Sequence, residues 1–159
     1  MFGDNIDTDL IISGKYLTTR DPDKMSSHVL EAARPEFSTK VHRGDVIVAG
    51  KNFGSGSSRE EAPVVLKRVG ISLIIARGFA RLFFRNSINI GLPLLECKDY
   101  GGIIDGDIVE ADLEAGIVYN LTRGDRFPAS KMPQFLLNIL EAGGALEAYR
   151  QRHGESLIS

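Results

Sequence analysis

Asp45-Val46-Ile47-Val48-Ala49-Gly50-Lys51-Asn52-Phe53-Gly54-Ser55-Gly56-Ser57-Ser58-Arg59-Glu60-Glu61-Ala62-Pro63 joins an apolar run to a helical one through a loop of small and hydroxyl residues. Residues 45–49 (DVIVA) have the length and β-branched content of a buried strand and stop at Gly50. Residues 59–69 have helical character and stop at Gly70. Where a strand passes through a Gly-rich loop into a helix, unpaired backbone N–H groups gather at the helix N-terminus and can hold an anion. Gly54 and Gly56 permit the left-handed or closely approached backbone of such a nest. Arg59 adds a planar fork of donors matched to a carboxylate or phosphate. A plainer pattern fits too: Ser57 with Glu60, or Ser58 with Glu61, spells an S-x-x-E capping box. Spacing alone leaves cap and ligand site level. The density of hydroxyl residues around one arginine favours the site, since a cap needs only one serine. Arg59 stands where a dinucleotide fingerprint wants its third glycine, and no G-K-[ST] follows as in a P-loop, so the ligand expected is a small anion.

Outward from that loop, residues 71–76 (ISLIIA) predict a second strand, 79–88 (FARLFFRNSI) a helix and 92–97 a third strand. Upstream, a polar, loop-rich region holds one short helical candidate over residues 24–33. Downstream, residues 107–113 and 116–121 alternate apolar and polar around Glu114-Ala115, the pattern of a hairpin with one wet face. Residues 133–141 predict an amphipathic helix, with Pro133 near its first turn and Gly143-Gly144 past its end. A last short helix begins at Ala145 and runs into a polar tail. The pattern predicts an α/β chain, a compact layered or barrel-like domain of mixed strands and short helices with a C-terminal helical segment.

The 159 residues fit one domain, here expected to span 1–159, with an ordinary 43% hydrophobic and 25% charged content. A formal net charge of −2 gives no electrostatic case for nucleic acid or an anionic membrane. No apolar stretch approaches a membrane span. Asp4, Asp7 and Asp9 stand where a signal peptide needs a basic end and an apolar core. The single cysteine, Cys97, suits a reducing compartment, and the cytoplasm is the expected location.

Two further stretches carry chemistry-bearing residues. Phe2-Gly3-Asp4-Asn5-Ile6-Asp7-Thr8-Asp9 lacks the central glycine and later glutamate of a calcium loop. It reads either as a solvated loop or as a second wall of the anion site. In the second case Lys15 or Arg20 grips a carboxylate, and Asp9 orients an arginine by a charge-assisted bond. In residues 76–91, Phe79, Phe83 and Phe84 have core spacing. Arg77, Arg81 and Arg85 share a face if the helix reaches back to Arg77, giving a solvated face or a partner surface. His28, His42 and His153 share no ligand spacing and Cys97 stands alone, so neither zinc nor an iron–sulfur cluster is expected on this chain.

Over about residues 2–150 the chain resembles the small subunits of aconitase-superfamily hydro-lyases, namely 3-isopropylmalate dehydratase and homoaconitase. The resemblance lies in FGDNIDTD, GKYLTTRDP, GDVIVAGKNFGSGSSRE, IIARGFARLFFRNSINIGLPLLEC, DGDIVEADLEAG and ILEAGG, in that order. It implies a swivelling β/β/α domain that binds no cofactor itself and joins a large subunit bearing a [4Fe-4S] iron–sulfur cluster, as heterodimer or heterotetramer. The substrate implied is a small 2-hydroxy di- or tricarboxylic acid. The reaction implied is dehydration and rehydration of 2-isopropylmalate to 3-isopropylmalate in leucine biosynthesis, with homoaconitase as the alternative. In that reaction a base removes the carbon-bound proton while cluster iron, as Lewis acid, draws off the hydroxyl. By resemblance Ser57 is the base, Ser58 and Arg59 are its loop partners, and Arg59 binds substrate carboxylate. Asp9 matches the aspartate of the T-D pair, and Arg20 falls near a substrate-binding arginine. Residues 16–20, with Thr18 and Thr19, resemble the loop that tells substrates apart. Relatives commonly have cysteine at Ser55, and they begin several residues earlier with a strand, so either one sheet edge lacks its usual neighbour or the start site is different. Two non-catalytic readings of another class stand beside it. A stand-alone small-anion binding module predicts that the isolated chain binds a dicarboxylate. An interaction subunit whose Gly/Ser loop is only a cap predicts that Ser57→Ala leaves activity of the complex intact.

Overall fold

A computed structural model describes residues 1–152; His153 and the polar tail lie outside the described residues. Three strands, β1 (Val46–Ala49), β2 (Leu73–Ala76) and β3 (Leu94–Glu96), form a parallel sheet in the order β1-β2-β3. Val46 pairs with Leu73 and Ala49 with Ala76, while Ile74 pairs with Leu94. The sheet is buried on both faces, which is why its strands are continuous apolar runs rather than alternating ones. Ile47, Ala49, Ile74, Ala76 and Leu94 face one core, packed with Val65, Leu66 and Phe83 from the helices. Val48, Leu73, Ile75 and Leu95 face a second core, closed by Tyr100, Ile103 and Val118.

The helices expected over residues 59–69 and 79–88 form with shifted ends, and two short ones form where the sequence reads only loop. Thr8–Ile11 forms α1, and Asp7 caps it by accepting from the Leu10 N–H at 2.8 Å. Pro22–Ser26 forms α2, Phe37–Lys40 α3, Glu61–Arg68 α4 and Arg81–Asn89 α5. The helix expected over residues 24–33 is thus displaced and cut short. Asp21 caps it early, and past Ser26 the backbone turns through Leu30, buried at φ 53°, whose N–H leaves the local ladder to reach the Ile11 carbonyl at 2.8 Å. The arginine stripe is corrected as well. Ala80 is extended, α5 starts at Arg81, and Arg77 lies off the helix with its guanidinium 4.7 Å from the Tyr100 ring centroid. Phe79 and Phe83 pack as expected, edge-on to Phe53 at 6.1 and 5.5 Å between ring centres.

The second core is covered by an antiparallel sheet of β4 (Val109–Asp112), β5 (Ile117–Asn120) and β6 (Asp125–Pro128). The hairpin β4–β5 matches the alternation in the sequence. The third strand was not legible there: Asp125-Arg126-Phe127-Pro128 carries one apolar side chain, and a proline can sit at this sheet edge because it owes no outward hydrogen bond. Layers of helix, parallel sheet and antiparallel sheet make the expected β/β/α arrangement. Gln134–Ala142 forms α6, ended by left-handed Gly143, and Ala145–Arg152 forms α7. No helix among the described residues is long and apolar enough to cross a membrane. The edge of β1 away from β2 is partly occupied by the N-terminal segment, where Phe2 N–H donates to Val48 O at 2.9 Å and Gly50 N–H to Gly3 O at 3.1 Å.

Candidate active site

In parallel sheets, ligands gather beyond the carboxyl ends of the strands. The chain leaving β1 there forms the Gly/Ser loop, and Phe53 bridges to Phe79 in the connection after β2. Two glycines shape the loop as the sequence requires. Gly54, at φ 83°, leaves no room for a side chain: an added Cβ would meet Phe83 Cγ at 2.1 Å. Gly56, at φ 90°, passes over Asp7 and Thr8.

The N-terminal segment is laced to this loop throughout. Asp4 Oδ1 accepts from Lys51 N–H at 2.7 Å, and Asn5 N–H donates to Lys51 O at 2.8 Å. Gly54 N–H donates to Ile6 O at 2.7 Å, and Thr8 N–H to Ser55 O at 2.8 Å. The Thr8 hydroxyl, buried at 2% exposure, donates to Ser57 O at 2.7 Å and lies 3.4 Å from Ser57 Oγ. Nothing in the spacing marked Thr8 for this role; a threonine opening a helix is ordinary, and its target is far away in the chain.

The capping-box reading fails. The residue that caps α4 is Glu60, in a helical conformation and with no side-chain hydrogen bond, so neither Ser57 nor Ser58 caps the helix. The reason lies in the backbone: Arg59 N–H turns back to Ser57 O at 2.8 Å, and the first bond of the helical turn runs from Ala62 N–H to Arg59 O at 3.2 Å, with Pro63 in the first turn where its missing N–H costs nothing. Free donors therefore extend from the loop up to the helix end. The N–H groups of Gly56, Ser57 and Ser58 have no protein acceptor among the described residues, and all three residues are exposed.

Arg59 is held on two sides. One Nη donates to Ile12 O at 2.8 Å; the other meets Asp9 Oδ1 at 2.5 Å. The guanidinium lies over Gly14, whose added Cβ would approach it at 3.3 Å. Asp9, Ser57 and Arg59 thus come together, with Ser58 beside them in the loop. Gly14–Thr19 is a 3-10 helix, so Arg59 also contacts the start of the turn that carries Thr18 and Thr19. Both threonines are exposed, and Thr19 Oγ1 accepts from Asp21 N–H at 3.1 Å. Arg20, exposed at φ 54°, ends the turn. No hydrogen bond or ion pair among the described residues links Thr18, Thr19 or Arg20 to Ser57 or Arg59. Among the described residues no group of three His, Cys, Asp or Glu side chains is placed to hold a metal ion.

Comparison with known proteins places this site in a family. The Aconitase C-terminal domain family matches residues 4–99, more than half of the chain. The chain is 55% identical over 146 residues to 3-isopropylmalate dehydratase small subunit 1 of Archaeoglobus fulgidus, covering 92% of this chain and 91% of the relative. It is 49% identical over 157 residues to the 3-isopropylmalate dehydratase small subunit of Wolinella succinogenes, covering 99% and 94%. A crystal structure of 3-isopropylmalate dehydratase from Methanocaldococcus jannaschii superposes with a TM-score of 0.89 at 43% identity, covering 96% of this chain and 90% of that one.

Proposed function

The chain belongs to the Aconitase C-terminal domain family as a 3-isopropylmalate dehydratase small subunit, and from that premise we propose that Ser57, Arg59 and Asp9 form this subunit's half of a divided active site. A small subunit of this kind works with a large one as a hydro-lyase, in the leucine-biosynthetic conversion of 2-isopropylmalate to 3-isopropylmalate.

The observation that carries the reading is a guanidinium fixed by Asp9 and Ile12 O beside an exposed serine loop whose N–H groups lack acceptors. A serine in water is too weak a base to take a proton from carbon. It becomes one where positive charge and oriented N–H groups stabilise its alkoxide out of solvent, each such donor contributing about 10²–10³ in rate. Ser57 is exposed in the isolated chain, so the pocket is complete only when the large subunit covers the loop. There Ser57 Oγ accepts the carbon-bound proton and returns it on rehydration. Arg59 grips a substrate carboxylate through its fork, Ser58 adds a hydroxyl to the same carboxylate, and Asp9 holds the fork in register. The [4Fe-4S] cluster, with its Lewis acidity toward the hydroxyl, belongs to the large subunit. Thr18, Thr19 and Arg20 face the variable end of the substrate, and the described residues turn as one swivel domain.

Mixing the purified chain with a cluster-loaded large subunit tests this. The isolated chain is expected to be inactive and the mixture active, with Ser57→Ala lowering kcat by at least about 10²-fold. Because Ser57 caps no helix, the melting temperature should hold. Near-normal kcat in Ser57→Ala would leave the loop a structural feature only.

A further inference from the structure

The turn that carries Thr18 and Thr19 has little to hold its own shape. A 3-10 helix has poorer hydrogen bonds than an α-helix, none of the Gly14–Thr19 side chains is buried, and the turn ends in a left-handed arginine. Tyr16 and Leu17 pack half-buried against the first core, and the rest of the hold on the turn comes from a cluster outside the site. The Tyr16 ring lies flat on the His28 ring, 3.8 Å between centroids with 3° between planes. The Tyr16 hydroxyl donates to Glu31 Oε1 at 3.2 Å, and His28 Nδ1 lies 2.5 Å from Glu31 Oε2. Lys15 Nζ stands 5.0 Å from the Tyr16 ring centroid. One carboxylate thus ties together two rings from two segments, each oxygen taking one partner.

We propose that Tyr16, His28 and Glu31 form a positioning clamp that fixes the turn bearing Thr18 and Thr19, and so sets how tightly the variable end of the substrate is bound. The proposal rests on the reading of that turn given above. None of the three touches the reacting atoms, and none pairs with Ser57 or Arg59. The His28 hydrogen bond, and after it that of Tyr16, keeps the Glu31 carboxyl below the ordinary glutamate range, consistent with a carboxylate engaged by both rings. His28 and Glu31 side chains are 38% and 42% exposed, so as a surface pair they add little to global stability. What they fix is the direction in which the turn leaves Gly14, a glycine beside the Arg59 guanidinium.

The test uses the reconstituted two-subunit enzyme with isopropylmalate as probe. Glu31→Ala should raise KM about fivefold, the scale of one hydrogen bond, with kcat and melting temperature close to wild type. Glu31→Gln keeps an acceptor and should restore most of that loss. Tyr16→Phe keeps the stacked ring, and combined with Glu31→Ala it should add nothing, since the two act through one contact. An unchanged KM in Glu31→Ala overturns the clamp, and so does a loss of kcat and melting temperature that glutamine fails to rescue. Thr18→Arg in the same assay separates the two ideas. If it shifts the preference between isopropylmalate and homoaconitate while Glu31→Ala leaves KM intact, the clamp alone is wrong. If Thr18→Arg shifts nothing, the reading of the turn is wrong.

Discussion

Asp9 Oδ1 and Arg59 Nη2 meet at 2.5 Å, carried by the first helix of the chain and by the loop after the first strand. The Asp9 side chain is 66% exposed and that of Arg59 22%, so the pair contributes little to global stability. Its effect is orientational: with the Ile12 carbonyl on the other nitrogen, the guanidinium plane has little freedom left.

Asp9→Asn should therefore leave the melting temperature nearly unchanged and raise KM in the reconstituted enzyme. Arg59→Lys should do more, raising KM roughly tenfold or more and lowering kcat, because an ammonium point charge cannot replace a fork that serves three partners at once. Steady-state kinetics on both variants check this. Wild-type KM in Arg59→Lys would mean the substrate carboxylate binds elsewhere.

Thr8 acts on Ser57 through the backbone. Its hydroxyl donates at a partly buried position to Ser57 O, a carbonyl that also accepts from Arg59 N–H, so losing Thr8 would remove one of that carbonyl's two donors. Thr8→Val keeps the shape and removes the donor; a loss of about 1 kcal/mol in stability is expected, together with a fall in kcat as the Ser57 loop drifts. Thr8→Ser should recover both. Thermal melts and kcat measured on the same preparations decide it, and unaltered kcat in Thr8→Val would show that the loop holds its place without this bond.

The antiparallel sheet depends on Asp107, whose side chain is 4% exposed. Asn120 Nδ2 donates to it at 2.9 Å, Ile104 N–H at 3.1 Å and Arg123 Nε at 3.0 Å. These bonds, that of Asn120 foremost, hold its carboxyl below the ordinary aspartate range. A depressed folded-state pKa contributes stability that is present above the unfolded-state value and is lost as pH falls through the folded-state value. Wild type should thus lose stability on acidification more steeply than Asp107→Asn, which has no such proton to take up. Denaturation midpoints followed from neutral pH down into the carboxylate range test this, and equal slopes would count against it.

How much of this was legible beforehand varies with the range of the interaction. The β1-α4-β2-α5-β3 order shows in the sequence because the first β-branched run ends at Gly50 and the helical run after it at Gly70, and the β4–β5 hairpin shows in its alternation. The boundary of α4 does not, since Ser57 and Glu60 satisfy the local capping pattern. What defeats that pattern is the turn by which Arg59 N–H reaches back to Ser57 O, a carbonyl held from outside the loop by Thr8. The sequence sets Asp9 to orient an arginine without saying which; that Arg59 is the partner depends on how α1 packs against the loop. The Tyr16–His28–Glu31 cluster is hidden for a similar reason, since it joins Tyr16 to residues of a separate segment that no local spacing connects to it.

Substrate choice is where the exposed turn decides most. Thr18 and Thr19 carry no charge, and Thr19 already spends its hydroxyl oxygen on Asp21 N–H. A third carboxylate buried against them would lack a partner, at a cost of several kcal/mol on the order of an unpaired polar group. A threonine methyl, by contrast, can cover an isopropyl group. Arg20 is the one cation at the end of the turn, but its left-handed backbone directs the chain onward into α2 rather than back toward Arg59. Wild type should accordingly prefer isopropylmalate to homoaconitate in kcat/KM. Thr18→Arg should lower that preference by supplying the missing charge, while Arg20→Ala should change it little. Competition between the two acids in the reconstituted enzyme measures all three. Homoaconitate favoured by wild type would overturn the assignment, and a preference that collapses in Arg20→Ala would move the reading of the substrate from the threonines to the arginine.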